Sequence, residues 1–466
     1  MSKKHFYGYA LGSLSESAIF SFINSFYLLF LTSVAGLDTS YASSVISICL
    51  IVESISAVLF GRFSDNYNSP HGKRRPFILM TSFLLPAALI LSFRTFNFTG
   101  VTKMIYYLLT GCLVRVFYSA YNIPYVALGA EITSDYDQRT RQRTAGKIFI
   151  GIGNLLSYTC PLIFIDRLVN LGVNKSDAWF SFSVLLAVIA SLVMILCWKM
   201  TAGCEKKTDT AVLEKDNGIK SILHAYVQLL KLKPMTILII WKIFFNISYT
   251  LSTGTLALFL IYRLNMSASV SSSIYLLSVI AAFVSIPIAN HLAVKYGKTR
   301  CVQVITGAAA LIGMALGITG IRSLPSVIVY VFTYSFAQSA FWQISYPLFY
   351  DVAEADTYAY GKRREGDITS LQTVLGTVAS AVIMQVSGLL LNASGFQAGS
   401  IVQPDSACVV LDALFVIIPS IFLFISAVVL AKYPLSKPVH KRLLLKAEEK
   451  NSDNLDEYIF WGKKDN

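Results

Sequence analysis

The chain has 466 residues, 55% of them hydrophobic and 14% charged, with a formal net charge of +13 and a mean hydropathy of +0.59. Soluble domains carry roughly a quarter charged residues, and here apolar runs long enough to cross a hydrocarbon core of about 30 Å recur throughout. Composition therefore excludes an ordinary soluble domain and predicts an all-α integral membrane protein.

Twelve spans are expected, at 7–33, 42–64, 77–95, 104–131, 146–166, 177–200, 236–263, 269–293, 300–321, 326–351, 367–391 and 408–432. Lys3 and Lys4 precede the first. That run is too long for a signal-peptide core and lacks a small-residue cleavage site, so it is expected to remain as a span. With the N-terminus and alternate loops placed in the cytoplasm, 31 of the 39 Lys and Arg fall in or beside cytoplasmic segments. Arg94, Lys103, Arg167, Lys175, Arg263 and Arg322 lie at the opposite end. This bias sets orientation by the positive-inside rule, placing both termini in the cytoplasm of a cell with an inner (cytoplasmic) membrane. The positive charge is thus a topology signal, and no nucleic-acid partner is implied.

The spans divide into two six-helix bundles, 1–200 and 236–433, joined by a polar cytoplasmic linker at 201–235 and followed by a charged cytoplasmic tail at 434–466. The tail is expected to be at most partly ordered. Gly72-Lys73-Arg74-Arg75 after span 2 and Gly297-Lys298-Thr299-Arg300 after span 8 form a weak internal repeat. Six plus six helices with basic turns at corresponding places is the pattern of a major facilitator fold.

Charges inside spans are the informative positions, because each costs at least about 2.5–3.5 kcal/mol at mid-bilayer and faces a cavity or a partner. Glu53 sits halfway through span 2 among Ile48-Cys49-Leu50-Ile51-Val52, which makes it a candidate proton or cation site; the alternative is a structural ion pair. In span 4, Arg115, Ser119, Asn122 and Val126 share one helical face. The first three form a polar stripe suited to solute hydroxyl or carboxylate groups, or Arg115 neutralises Glu53 or Glu16; both readings stand. Glu16 lies in span 1 among Ser13, Ser15 and Ser17. Lys147 either reaches a cavity or snorkels, and Lys242 is expected to snorkel to the cytoplasm.

In the second half, Trp342, Gln343 and Tyr346 of span 10 and Gln372 and Thr373 of span 11 supply the rings and amides that a pyranose takes. Asp351, Glu354 and Asp356 precede Lys362, Arg363 and Arg364, and Glu131, Asp135 and Asp137 precede Arg139, Arg141 and Arg143. These cytoplasmic clusters suit an inner gate of ion pairs, or are solvated loop charge. A membrane enzyme is disfavoured. The histidines show no ligand spacing, no phosphate-binding Gly-rich loop occurs, and the seven cysteines are scattered. No cofactor or metal is expected beyond a coupling H⁺ or Na⁺.

Several motifs carry a family resemblance. They are Tyr9-Ala10-Leu11-Gly12 with Tyr27 to Leu37, Gly61-Arg62-Phe63-Ser64-Asp65 with Gly72 to Phe77, Asn122-Ile123-Pro124-Tyr125 through Thr133, and Asp351 to Gly366. Together the chain resembles the glycoside–pentoside–hexuronide:cation symporters, the melibiose permease-like branch of the major facilitator superfamily. That resemblance implies a sugar or glycoside:cation symporter working by alternating access, with the bilayer, a small solute and a coupling cation as its partners; a monomer is expected. It places the cation site at Glu53, Ser56 and Ser119, where the family's second span 2 acid is replaced by Ala57, a change favouring H⁺. It places solute groups at Glu16, Ser17, Asn122, Lys147 and Trp342; the candidate gate residues, from the charge clusters, are Asp65, Arg139, Arg141, Asp351, Asp356 and Arg363. Loss of the family's acids, with Arg115 and Lys147 nearby, suits an anionic solute such as a hexuronide. The rivals are an uncoupled facilitator or exchanger of the same fold and a lysolipid-type carrier.

Overall fold

The computed structural model describes residues 3–67, 69, 72–132, 136–204, 218–361, 364–400, 402–435, 439, 442, 443 and 455–461. Among these, 12 helical stretches are long and apolar enough to cross a membrane, and no strand is present. In chain order the helices are α1 (Lys3–Ser33), α2 (Thr39–Asn66), α3 (Arg75–Ser92), α4 (Gly100–Ile132), α5 (Tyr136–Tyr158), α6 (Cys160–Asn170), α7 (Lys175–Met200) and α8 (Gly218–Leu230). There follow α9 (Lys233–Leu258), α10 (Ala268–Tyr296), α11 (Lys298–Thr319), α12 (Leu324–Tyr360), α13 (Glu365–Ala393), α14 (Asp405–Asp412), α15 (Ile418–Ala431) and the short α16 (Asp456–Ile459).

Each expected span finds its helix. The fifth is interrupted, α5 giving way to α6 at Thr159, where Pro161 at the start of α6 has no N–H for the preceding turn. The tenth runs past its expected end to Tyr360. Asp351, Glu354 and Asp356 therefore lie in the last turns of α12 itself. Gly361 closes α12 in the left-handed conformation (φ 64°).

The chain divides into two compact units. Unit 1 comprises Met1–Ala211, Thr253–Val279 and Ala381–Leu411. Its core is aromatic. Phe22 and Phe30 of α1 each lie 4.7 Å from Phe93 at the end of α3, which stacks on Trp179 of α7. Small residues bring helices close: a Cβ on Gly153 of α5 would fall 2.2 Å from the Ser17 Oγ on α1. Within this unit the segments Thr253–Val279 and Ala381–Leu411 pack on the N-terminal helices. Tyr262 donates to Ser33 Oγ (2.6 Å), Ser47 donates to the Ala381 carbonyl (2.8 Å), and Tyr275 packs on both Phe26 and Tyr158. Gly388 of α13 meets Ser43 of α2 without room for a side chain.

Unit 2 comprises Val212–Ser252, Ile280–Ser380 and Asp412–Asn466. Trp241 and Phe245 of α9 pack on Phe341 of α12. Ser248 donates to the Pro419 carbonyl (2.7 Å), joining α9 to α15. The tail is better anchored than its charge suggests. Leu455 and Ile459 are buried, Phe460 forms an antiparallel bridge with Leu232, and Tyr358 donates to Asp456 Oδ1 (3.0 Å). Two apolar side chains one turn apart give a short polar segment enough buried surface to dock.

Candidate substrate and coupling site

In unit 1, α1, α2 and α4 converge on the charges that the sequence singles out. Arg115 donates from Nη1 to Glu53 Oε2 at 2.7 Å and from Nη2 to Asn24 Oδ1 at 2.8 Å. The side chains are 5% and 16% exposed for Arg115 and Glu53, so the pair is desolvated. Glu53, and not Glu16, is Arg115's carboxylate partner. One turn along α4, Ser119 donates to the Glu53 main-chain carbonyl (3.2 Å), so its hydroxyl supports the backbone of α2. Ser56, also proposed at this site, is buried one turn beyond Glu53.

Glu16 belongs to a second polar group. Tyr118 donates to Glu16 Oε1 at 2.6 Å, and Asn122 donates to the Tyr118 hydroxyl at 3.4 Å. The stripe on α4 is thus Arg115, Tyr118, Ser119 and Asn122, while Val126 is exposed. Ser17 faces away from this group, its hydroxyl directed to the carbonyls of Ser13, Leu14 and Ile150 at the α1–α5 contact. Lys147 is half-buried on α5. Asn24 and Tyr118 were missed in the sequence. Their signal was present: Asn24 lies two turns from Glu16 on α1, and Tyr118 lies three residues from Arg115 on α4.

In unit 2 a separate cluster forms on α9, α12 and α13. Lys242 is 5% exposed and donates to Gln372 Oε1 at 2.9 Å. Its ammonium lies about 6 Å from the rings of Trp342, Tyr346 and Phe349. This overturns the expected snorkelling: nine residues, about 13 Å of helix, separate Lys242 from Lys233 at the start of α9, and the side chain turns inward. Gln343 donates to the Ile286 carbonyl on α10 (3.3 Å), and exposed Thr373 bonds to its own helix at Thr369; neither joins the Lys242 cluster.

Of the residues expected to form a gate, Asp351 takes Lys298 Nζ on both carboxylate oxygens (2.8 and 2.9 Å), using the basic turn after α10. Asp356, 0% exposed, accepts from the Arg364 Nε (3.0 Å) and backbone N–H (3.2 Å), and Arg364 Nη1 donates to Gln228 Oε1 on α8 (2.7 Å). The bonds to Asp356 push the guanidinium pKa up. Arg363 lies outside the described residues, and Asp65, Arg139 and Arg141 lie on α2 and α5 with side chains outside the description. Asp356→Asn leaves the Arg364 guanidinium without its carboxylate at a buried position. It is expected to lower stability by about 3 kcal/mol, read as a fall in the thermal midpoint of the detergent-solubilised protein; an unchanged midpoint would mean that the pair is solvated.

A family model described as MFS/sugar transport protein matches residues 8–437. The chain belongs to this family. It is therefore a membrane transporter and not an enzyme, and its twelve-span architecture is the major facilitator fold. An isoprimeverose transporter of Lactiplantibacillus pentosus is 23% identical over 96% of this chain and 91% of its own length. A glucuronide carrier protein homolog of Escherichia coli (strain K12) is 24% identical over 95% of each chain. Among solved structures, a D-xylose–proton symporter superposes with a TM-score of 0.66 at 14% identity, covering 92% of this chain and 97% of that one. At that identity the likeness concerns the fold alone.

Proposed function

We propose that this transporter is a monomeric sugar or glycoside symporter of the inner membrane, driven by H⁺ and working by alternating access between two six-helix halves, with both termini cytoplasmic. The observation that carries the coupling is the desolvated Glu53–Arg115 pair at 2.7 Å. A proton arriving at Glu53 removes the charge that Arg115 holds, so protonation and the freedom of α2 and α4 to move are linked. A lone carboxylate, without the second acid at Ala57, binds a proton more naturally than Na⁺, which prefers several oxygen ligands. Glu16, Tyr118 and Asn122 provide the acceptors and donors that sugar hydroxyls need. The names of the relatives support a sugar, glycoside or glucuronide as the solute.

The test is uptake into proteoliposomes of radiolabelled glycosides, pentosides and glucuronides, each with an imposed pH gradient, a Na⁺ gradient, or neither. Accumulation driven by the pH gradient, lost in Glu53→Gln while counterflow persists, is the expected result. Equilibration without accumulation, indifferent to Glu53→Gln, would make the protein an uncoupled facilitator whose pair only joins α2 to α4. Uptake of radiolabelled lysophosphatidylcholine, with no sugar flux at all, would favour a lysolipid carrier.

A further inference from the structure

We propose that Lys242 is an anion-recognising residue: it receives the carboxylate of an acidic sugar, with Trp342 and Tyr346 as the surface on which the ring lies. The proposal rests on the sugar-transport reading above and assigns its specificity to unit 2.

The placement comes from close helix packing. Lys242 and Asn246 stand one turn apart on α9, opposite Gln372 and Gly376, one turn apart on α13. A Cβ on Gly376 would fall 2.2 Å from Asn246 Nδ2 and 3.6 Å from Lys242 Cε. The missing side chain therefore lets α9 approach α13 and seats the lysine stem between them. On its other side stand the α12 aromatics. Trp342 is held edge-on by Phe245 and Tyr249, at 5.8 and 5.9 Å between centroids.

An ammonium has three N–H donors. Here one goes to the Gln372 side-chain oxygen Oε1, and the charge otherwise faces rings at 5.6 to 6.0 Å, the outer limit of a useful cation–π contact. Among the described residues no acid pairs with Lys242. Burying an unpaired ammonium is costly, and a Met or Leu would fill the same volume without that cost. Arg115, by contrast, already has its carboxylate in Glu53, so an incoming anion gains more at Lys242. Tyr346, 43% exposed, is the open edge of the cluster, through which a ring reaches Trp342 and its carboxylate the ammonium. A flat apolar surface beside a cation is the chemistry of a hexuronide: ring C–H groups on the indole, carboxylate on Nζ.

The experiment compares p-nitrophenyl β-D-glucuronide with p-nitrophenyl β-D-glucoside in counterflow, for the native protein, Lys242→Gln and Lys242→Arg. The glucuronide KM is expected to rise roughly 10- to 100-fold in Lys242→Gln, the loss typical of one hydrogen-bonded charge pair, and to recover largely in Lys242→Arg, while the glucoside KM moves far less. An unmoved glucuronide KM, or equal loss of both sugars, would overturn the proposal. Should Lys242→Gln not reconstitute, tryptophan fluorescence of the native protein decides: quenching by the glucuronide that disappears in Trp342→Phe supports the site, and absence of quenching overturns it. Native protein that carries the glucoside but not the glucuronide removes this inference alone, whereas native protein that carries neither removes the sugar-transport reading on which it rests.

Discussion

Arg115→Gln is expected to be among the most damaging single changes in the protein, and its effect should be largely reversed by adding Glu53→Gln. Arg115 is the cation that faces the Glu53 carboxylate, at 2.7 Å, with both side chains largely withdrawn from solvent. Its removal strands a carboxylate in apolar surroundings at a cost of about 3–5 kcal/mol, against a total stability of only about 5–15 kcal/mol for a typical folded protein. The double variant has no stranded charge and keeps two neutral amides able to bond each other. Thermal unfolding in detergent and uptake driven by a pH gradient in proteoliposomes separate the two effects. Arg115→Gln should lose both stability and flux; the double variant should regain the thermal midpoint while failing to accumulate solute. A double variant as unstable as the single one would show that Arg115 acts through Asn24, its other partner at 2.8 Å, more than through Glu53.

Gly388→Leu is expected to block transport by a purely steric route. A Cβ at Gly388 would stand 1.8 Å from the Ser43 Oγ, 2.2 Å from its Cβ and 2.9 Å from the Thr39 carbonyl oxygen. The two backbone-proximal atoms cannot swing aside as the end of a long side chain can, so α2 and this part of α13 must separate. In the alternating-access cycle proposed above, an overpacking penalty of about 1–3 kcal/mol on one of the two states changes their ratio by roughly 5- to 150-fold. Uptake should fall by about tenfold or more while the protein still folds. In a cysteine-free background, Ser47→Cys reports the separation, because native Ser47 donates to the Ala381 carbonyl across the same contact. Its alkylation should accelerate when Gly388→Leu is added. Native rates of both uptake and alkylation would show that this contact takes up the leucine without separating, and would overturn the steric argument.

The two substitutions probe different kinds of information. Glu53 and Arg115 announce themselves in the sequence, because a charge inside an apolar run has few physical reasons to be there. Gly388 announces nothing: glycines are frequent in membrane helices, and only the neighbouring helix shows that this one has no space for a methyl group. The same contrast separates Glu16 from Ser17. Glu16 stands out by its charge and is met by Tyr118. Ser17, adjacent in sequence, is rotated by about 100° on the helix and spends its hydroxyl on carbonyls at the α5 contact.

The spans, the basic bias at one end and the identity of the intramembrane charges were determined by the sequence alone. Each depends on a property local to the chain: whether some twenty consecutive residues are apolar enough for a bilayer, and whether a charge interrupts them. Which charges meet was decided by the tertiary structure. From the sequence, Arg115 was equally able to face Glu16 or Glu53, and Lys242 was expected at the membrane surface, not beneath Trp342 and Tyr346. Those choices depend on the rotation of each helix about its axis and on how closely small residues such as Gly153 and Gly376 let neighbours approach. Both are properties of pairs of helices, and no pattern along a single one contains them.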